Sequence, residues 1–226
     1  SLSSCIEANL RGGFFNQGEN CTAVTRLFVH KKIYNRFLKL YIKNISKINP
    51  ESPESKTSQM GSLISGQHLK KVKRCVSKSL SEGGKLLYQG KIKKNLKGYF
   101  YPPTLIELSS TKNILFKEEV FGPVVAIIKF EDEKEVVEMA NDTNYGLAGG
   151  VWTQDISRAL RVASSIDAGY LWVNTYGGII PETPYGGFKQ SGVGKELGSE
   201  GLEEYLRTKN ISIFTGSSLP SWYGKK

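Results

Sequence analysis

The chain has 226 residues, of which 39% are hydrophobic and 23% are charged. These values are ordinary for a soluble globular protein that forms one large domain or a domain with an extension. No apolar run approaches the length of a membrane span, and the N-terminus lacks a basic stretch followed by an apolar core, so neither a membrane anchor nor a signal peptide is predicted. The three cysteines form neither a disulfide framework nor a metal-ligand cluster, which indicates a reducing, cytoplasmic location and no metal site.

Much of the formal net charge of +10 lies in two lysine-rich segments, residues 70–74 and 91–97. Charge of this kind can attract nucleic acid or an anionic membrane surface. Aromatic residues are not interleaved with these segments, as a surface that stacks nucleic-acid bases would require. We therefore predict a solvated helix face and a lysine-rich loop, with neither a nucleic-acid nor a membrane partner.

In chain order, the hydrophobic pattern predicts an alternation of helices and strands. A first helix, with apolar positions from Leu2 to Phe14 at helical spacing, leads into a polar loop that ends at Cys21. The apolar run 124–130 is typical of a strand buried on both faces, and the alternation as a whole predicts a parallel α/β sheet. The other predicted helices lie at 33–45, 67–79, 131–140 and 156–164, and the other strands at 26–30, 85–88, 149–152, 170–173 and 211–214.

Two irregular segments contain the candidate functional residues. In the first, Gly18 permits backbone torsions that bulkier residues avoid, and Asn16 and Asn20 suit a tight loop. A thiol at Cys21, on a rigid loop beside backbone N–H groups, could attack a carbonyl and have the resulting oxyanion stabilised. The alternative is a small buried hydrophobic residue, which is the commoner role of a lone cysteine. The second segment, the glycine-rich tract 176–201, is predicted to be a functional loop.

Four segments follow one another along nearly the whole chain: 13–23 around Cys21, 117–124, 141–148 and 184–198. Together they resemble the motifs of the NAD(P)-dependent aldehyde dehydrogenases, most closely the betaine aldehyde dehydrogenase branch. The resemblance implies an α/β fold with a catalytic domain at 1–207, whose mostly parallel sheet is flanked by helices. It also implies a C-terminal oligomerisation strand and tail at 208–226, and NAD or NADP as cofactor.

The resemblance covers the C-terminal half of a family subunit. The sequence does not contain the nicotinamide-binding half or the Glu-Leu-Gly-Gly motif, whose glutamate is the family's general base. We therefore expect the chain to work with a separate N-terminal half or in a homo-oligomer, and to show little or no dehydrogenase activity alone. A cysteine-dependent esterase and a non-catalytic remnant that serves as an interaction domain remain alternatives.

The resemblance also implies roles for individual residues. Cys21 adds to the aldehyde to form a thiohemiacetal and then a thioester. Glu196 lines the substrate tunnel, where a buried carboxylate could relay protons; a structural ion pair is the alternative. The resemblance implies cofactor contacts for two residues: Glu119, whose carboxylate accepts hydrogen bonds from ribose hydroxyls, and Phe121, which packs near the nicotinamide. Gln67 and Lys70 match a further ribose-contacting pair less distinctly.

Substrate contacts are implied for the neighbours of the cysteine and for the glycine-rich tract. The aromatic and acidic members of the loop 174–182 could suit a cationic aldehyde, so a betaine aldehyde or aminoaldehyde is the predicted substrate. His30 and His68 are predicted to be surface residues, and Cys5 and Cys75 to be inert packing residues on helices. The implied substrate residues are Asn20, Thr22, Asn174, Ile179 and Tyr185; Asn174 is expected near the cysteine, fixing the loop by hydrogen bonds.

Overall fold

The computed structural model describes residues 1–219 and 221–224. Within them, a four-stranded sheet with helices on both faces is followed by two small two-stranded sheets and an extended C-terminal segment. The helices are α1 (Leu2–Phe14), α2 (Tyr34–Ile45), α3 (Gly66–Ser81), α4 (Ile114–Lys117), α5 (Glu133–Asn141), α6 (Ile156–Ser165) and α7 (Gly198–Glu203). The strands are β1 (Arg26–His30), β2 (Lys85–Gln89), β3 (Thr104–Leu108), β4 (Val124–Phe130), β5 (Tyr145–Gly146), β6 (Ala148–Val151), β7 (Tyr170–Val173) and β8 (Phe188–Lys189).

The main sheet has the strand order β1-β4-β3-β2. Strands β1, β4 and β3 are parallel, with Arg26 opposite Ala126 and Thr104 opposite Val124, whereas β2 runs antiparallel to β3. The first five residues of β4 are all buried, because helices cover both faces of the sheet. This explains why the β4 sequence is almost continuously apolar instead of alternating.

Two apolar clusters cover the two faces of the main sheet. Alternate residues of β4 enter different clusters, since successive side chains of a strand point to opposite faces. Val125 packs with α1 and α2, where Tyr41 and Ile45 are fully buried. Ala126 packs with α3 and α4, where Val72 is fully buried. Each such aliphatic side chain contributes about 1.5–3 kcal/mol relative to exposure, so these clusters fix the position of the loops at the strand ends.

The smaller sheets lie in the second half of the described chain. Strands β6 and β7 are parallel and are connected by α6, while β5 pairs antiparallel with β8. Asp155 begins α6 by accepting a hydrogen bond from the backbone N–H of Arg158, which is the usual way to satisfy the first turn of a helix. No helix of the described residues is long and apolar enough to cross a membrane.

Most predicted elements are confirmed, with bounds that differ by a few residues, and the predicted lysine-rich surface is largely exposed. Strand β3 and the four-residue helix α4 were not predicted. The predicted strand at 211–214 does not form within the described chain: the segment is irregular, and Ile211 is 73% exposed, so its place in an oligomerisation sheet stays a prediction. A strand requires a neighbour for its backbone N–H and C=O groups, and none of the described strands pairs with this segment. The division into 1–207 and 208–226 stays a prediction.

Candidate active site

The loop that presents Cys21 is held in a strained conformation. Asn16 and Gln17 have φ values of 50° and 47°, a left-handed region that few non-glycine residues adopt. Gly18 has φ 73°, and a Cβ atom there would collide with the backbone of Gly122. Glycine is thus required at position 18 both for its torsion and for the close approach of two backbones. The consequence is that the cysteine loop rests directly on the segment that follows Phe121.

Cys21 lies in a turn, and it is the exposed one of the three cysteines. Its Sγ is 3.8 Å from Asn20 Oδ1 and 3.7 Å from the hydroxyl of Tyr185. Asn20 Oδ1 also accepts hydrogen bonds from the backbone N–H and the hydroxyl of Thr22, at 3.2 and 3.3 Å. The backbone N–H of Cys21 donates no hydrogen bond to any described residue. It is therefore available to the oxyanion that forms on a carbonyl oxygen when the sulfur attacks the carbonyl carbon.

The other two thiols are shielded, as predicted. Cys5 lies on α1, where burial raises the pKa of its thiol to about 11. Cys75 is buried on α3, and burial again raises the pKa of the thiol. Since the thiolate is the nucleophilic form, both residues are poor nucleophiles. Accessibility therefore separates Cys21 from the two packing cysteines.

A polar network beneath the loop connects it to α3 and to the segment after α4. Gln17 Nε2 donates to Glu19 Oε2 at 3.2 Å, and Glu19 Oε1 accepts from the backbone N–H of Ile64 at 3.0 Å. His68 Nε2 is 2.6 Å from the carbonyl oxygen of Phe121 and 3.5 Å from Glu19 Oε1. Because a carbonyl can only accept, Nε2 of His68 carries the proton in this contact.

The prediction that His68 is a surface residue is wrong, because its side chain is only 14% exposed and bridges two loops. The sequence contained a partial indication of this arrangement. Ser65 is a good N-cap residue, and its hydroxyl accepts from the backbone N–H of His68, which places this histidine in the first turn of α3. The position of the first turn relative to Phe121 depends on the fold and was not predictable from local sequence.

A cavity of ≈1010 Å³ adjoins the cysteine loop. Asn20, Cys21 and Thr22 contribute to its lining, and so do Glu119 and Phe121. Consecutive residues of both β1 and β6 line the cavity as well, because each of these strands has one edge without a partner among the described strands. The structure thus brings the predicted nucleophile together with two of the four predicted cofactor residues.

Glu119 and Phe121 are held through their backbones, which leaves their side chains free. Lys71 Nζ donates to the carbonyl oxygen of Glu119 at 2.9 Å, and Phe121 has a left-handed φ of 57°. The carboxylate of Glu119 makes no hydrogen bond or ion pair with any described residue and is half-buried at the cavity. By contrast, Gln67 and Lys70 lie on α3 and are not among the cavity-lining residues.

Four aromatic side chains form a cluster beside the cysteine loop. The ring of Tyr170 lies 4.9 Å from that of Trp172 and 5.7 Å from that of Tyr185, centroid to centroid. Tyr176 continues the cluster, 5.3 Å from Trp172, and its hydroxyl donates to the carbonyl oxygen of Thr22 at 3.2 Å. Tyr176 was not predicted as a site residue, although it lies in the predicted tunnel loop. Tyr185, for which the resemblance implies a place in the substrate tunnel, lies beside Cys21.

The remaining predicted site residues make no hydrogen bond to Cys21 Sγ within the described structure. Asn174 is exposed, and its side chain bonds both backbone groups of Thr153, so it fixes the end of β6 instead of the cysteine loop. Ile179 is exposed on the loop after β7 and does not line the cavity. Glu196 was expected to be buried, but it is exposed, because the short segment that pairs it with Tyr185 lies at the surface. The roles of these residues stay predictions.

Comparison with known proteins agrees with this arrangement. Residues 1–211 match the model of the aldehyde dehydrogenase family. A betaine aldehyde dehydrogenase of Hordeum vulgare is 39% identical over 223 residues, covering 98% of this chain and 44% of the relative. One of Bacillus subtilis is 37% identical over 225 residues, covering 98% of this chain and 46% of the relative. The chain therefore spans less than half the length of these curated relatives.

Solved structures give the same result. A betaine aldehyde dehydrogenase from Staphylococcus aureus in complex with NAD+ has a TM-score of 0.93 at 37% identity, covering 100% of this chain and 45% of the solved one. A mutant of the same protein, in the apo state and with a BME-modified cysteine, also has a TM-score of 0.93 at 37% identity, covering 100% and 46%. An aldehyde dehydrogenase described as putative, from Burkholderia cenocepacia, has a TM-score of 0.92 at 34% identity, covering 100% and 47%.

Proposed function

The chain belongs to the aldehyde dehydrogenase family, and we propose that it provides the nucleophile, Cys21, of an enzyme that oxidises an aldehyde to a carboxylic acid. One observation supports this role above the others: the thiol of Cys21 is exposed beside a cavity that also contains Glu119 and Phe121. A nucleophile must reach its substrate, and of the three thiols that of Cys21 is exposed, whereas Cys5 is half-buried and Cys75 is buried.

The chemistry that we propose begins at the sulfur. The Cys21 thiolate adds to the aldehyde carbon, and the carbonyl oxygen becomes an oxyanion. The free backbone N–H of Cys21 stabilises this charge, because it is held by a loop whose torsions are fixed by Gly18 and by the Asn20–Thr22 hydrogen bonds. Loss of hydride from the adduct leaves a thioester on Cys21, which water hydrolyses to the acid.

The hydride acceptor that we propose is NAD or NADP, which supplies a nicotinamide ring able to take a hydride, that is two electrons and a proton, from the adduct. The residues present fit such a group. The unpaired carboxylate of Glu119 can accept two hydroxyl hydrogen bonds, and the half-buried ring of Phe121 offers an apolar surface in the same cavity. The backbone of both residues is held by hydrogen bonds. Lys71 donates to the carbonyl oxygen of Glu119, and His68 donates to that of Phe121.

Hydrolysis of the thioester needs a general base that the described residues do not place at the sulfur. The polar side chains that contact Cys21 Sγ within the described chain are those of Asn20 and Tyr185, and neither is a carboxylate. We therefore propose that this chain becomes acylated at Cys21 but turns over slowly until further residues provide the base. A missing base of this kind costs about 10²–10⁴-fold in rate.

The substrate that we propose is a cationic aldehyde of the betaine aldehyde or aminoaldehyde class. The aromatic cluster of Tyr170, Trp172, Tyr176 and Tyr185 lies beside the nucleophile, and aromatic faces attract quaternary ammonium groups. Relatives that are described as betaine aldehyde dehydrogenases support the same class. A partner that supplies the remaining part of the enzyme, or a homo-oligomer, belongs to this proposal.

A second candidate function is cysteine-dependent ester hydrolysis, which needs no nicotinamide. The exposed thiol of Cys21 and its free backbone N–H favour this alternative, because acyl transfer requires only a nucleophile and an oxyanion donor.

The test uses the purified chain with betaine aldehyde or p-nitrophenyl acetate, with and without NAD. We expect a burst of p-nitrophenol equal to the enzyme concentration, with little NADH formed. Cys21→Ala should abolish the burst, whereas the matched variant Cys75→Ala should retain it. A burst that persists in Cys21→Ala would overturn the assignment of the nucleophile. Sustained NADH formation over many turnovers by the chain alone would contradict the missing base.

A further inference from the structure

The hydroxyl of Tyr185 is an unusual neighbour for the candidate nucleophile. It is 3.7 Å from Cys21 Sγ, while the other polar neighbour, Asn20 Oδ1, lies at 3.8 Å from the same sulfur. The two neighbours differ in chemistry. The Asn20 oxygen can only accept a hydrogen bond, so it suits the neutral S–H group, whereas a phenolic hydroxyl can also donate one.

From this juxtaposition we infer that Tyr185 is a catalytic residue, which donates its phenolic hydrogen to the Cys21 thiolate and thereby favours the reactive form of the nucleophile. In the neutral state, the thiol hydrogen points to Asn20 Oδ1. On ionisation this proton leaves to solvent, and the sulfur, now only an acceptor, takes the hydrogen bond from Tyr185. The inference rests on the proposed role of Cys21 and extends it to a second side chain.

The position of Tyr185 is fixed by elements other than the cysteine loop. Its backbone N–H and carbonyl pair with the backbone of Glu196, at 2.6 and 2.7 Å, and its ring packs against that of Tyr170. Burial, followed by the neighbouring Cys21 sulfur, raises the pKa of the Tyr185 hydroxyl. Tyr185 therefore keeps its proton over the neutral pH range, as a donor must.

The other ionisable groups near Cys21 and Tyr185 have different hydrogen-bond partners or lie at the surface. The hydroxyl of Tyr176 donates to the carbonyl of Thr22, and the hydroxyl of Tyr170 donates to the carbonyl of Gly178 at 3.1 Å. Glu196, whose carboxylate acts on the Tyr185 hydroxyl through its charge, is exposed. Among the described residues, Tyr185 is thus the one hydrogen-bond donor side chain placed at the Cys21 sulfur.

The experiment measures alkylation of Cys21 by iodoacetamide as a function of pH, which reports the thiolate without cofactor or substrate. Attack forms the S–C bond and releases iodide, and mass spectrometry of the Cys21 peptide separates it from Cys5 and Cys75. Tyr185→Phe should slow alkylation at neutral pH by about three- to tenfold, and should move the pH–rate profile to higher pH. At high pH, where the thiol is ionised in both proteins, the two rates should converge.

The matched control is Tyr205→Phe, which removes the hydroxyl of an exposed tyrosine outside the aromatic cluster. It should leave the profile unchanged, and thermal melts should show that both variants are folded. An unchanged profile in Tyr185→Phe, or an equal displacement in Tyr205→Phe, would overturn the inference. Neither result affects the ester burst of the parent chain, so failure of the inference is distinguishable from failure of the proposed function.

Discussion

The sheet region, residues 1–130, and the region after β7, at 174–219 and 221–224, support the candidate site in different ways. In the sheet region, the largely buried side chain of His68 contacts Glu19 and the carbonyl oxygen of Phe121, which are far apart in the sequence, and the loop of Cys21 rests on this network. The later region is mostly exposed and contributes only the tips of a few side chains, chiefly the hydroxyls of Tyr176 and Tyr185. The candidate nucleophile is thus positioned by the packed region, and the later region places the hydroxyl of Tyr185 beside it.

The sharpest test of this difference compares two glycines with left-handed backbones. Gly18 has φ 73° and lies against the backbone of Gly122, whereas Gly177 has φ 84° and a Cβ atom there would meet nothing within 4 Å. We expect Gly18→Ala to destabilise the chain by about 3 kcal/mol or more, because backbone collision adds to the torsional cost. Gly177→Ala should cost about 1 kcal/mol, from torsion alone. Urea unfolding measures both, and equal costs would contradict the comparison.

An intermediate effect is expected from the two side chains that hold the cysteine loop from opposite sides. His68→Ala leaves the carbonyl of Phe121 and the carboxylate of Glu19 without their largely buried partner, which should cost about 1–3 kcal/mol. Tyr176→Phe removes one hydrogen bond to the carbonyl of Thr22 in a more open position and should cost about 0.5–1.5 kcal/mol. Chemical denaturation measures the loss of stability in both variants. A larger loss in Tyr176→Phe would contradict our ranking of the two regions.

The smallest effect concerns acid sensitivity. Burial tends to raise the pKa of Glu107, but hydrogen bonds from Lys129 and Tyr34 outweigh it, and the pKa is lowered. A lowered pKa in the folded state stabilises the protein above the unfolded pKa of about 4.3, and this contribution is lost as pH falls through the folded value.

We therefore expect Glu107→Gln to be less stable than the parent at pH 7, by about 1 kcal/mol or less, and to lose less stability between pH 5 and about pH 3. Unfolding midpoints at both ends of this range provide the measurement. Glu200→Gln, an exposed substitution in the later region, is the control and should follow the parent at every pH.

The same division explains what could be predicted from sequence. The apolar pattern of β4 and the amphipathic pattern of α2 are local consequences of burial, so both elements were predicted correctly. β3 was missed because it follows Pro102 and Pro103, which read as a loop, and because its identity as a strand depends on pairing with β4. The segment 211–214 has strand-like residues but no described partner, and sequence pattern alone cannot provide one.

The candidate site was predictable where a motif lies on one loop, and less so where it is assembled from several. Cys21, Asn20 and Thr22 share a loop and lie together at the cavity. The buried position of His68 and the exposed position of Glu196 depend on how α3 and the glycine-rich tract pack, which is a tertiary property.

The three thiols differ in exposure, so the rates at which they react with a thiol reagent report whether the chain is folded. One thiol, that of Cys21, is exposed in the native state, whereas Cys5 is half-buried on α1 and Cys75 is buried on α3. A chromogenic disulfide reagent would therefore count one fast thiol per native chain and three per denatured chain. The slow reaction of the other two thiols with the reagent would measure how often α1 and α3 open.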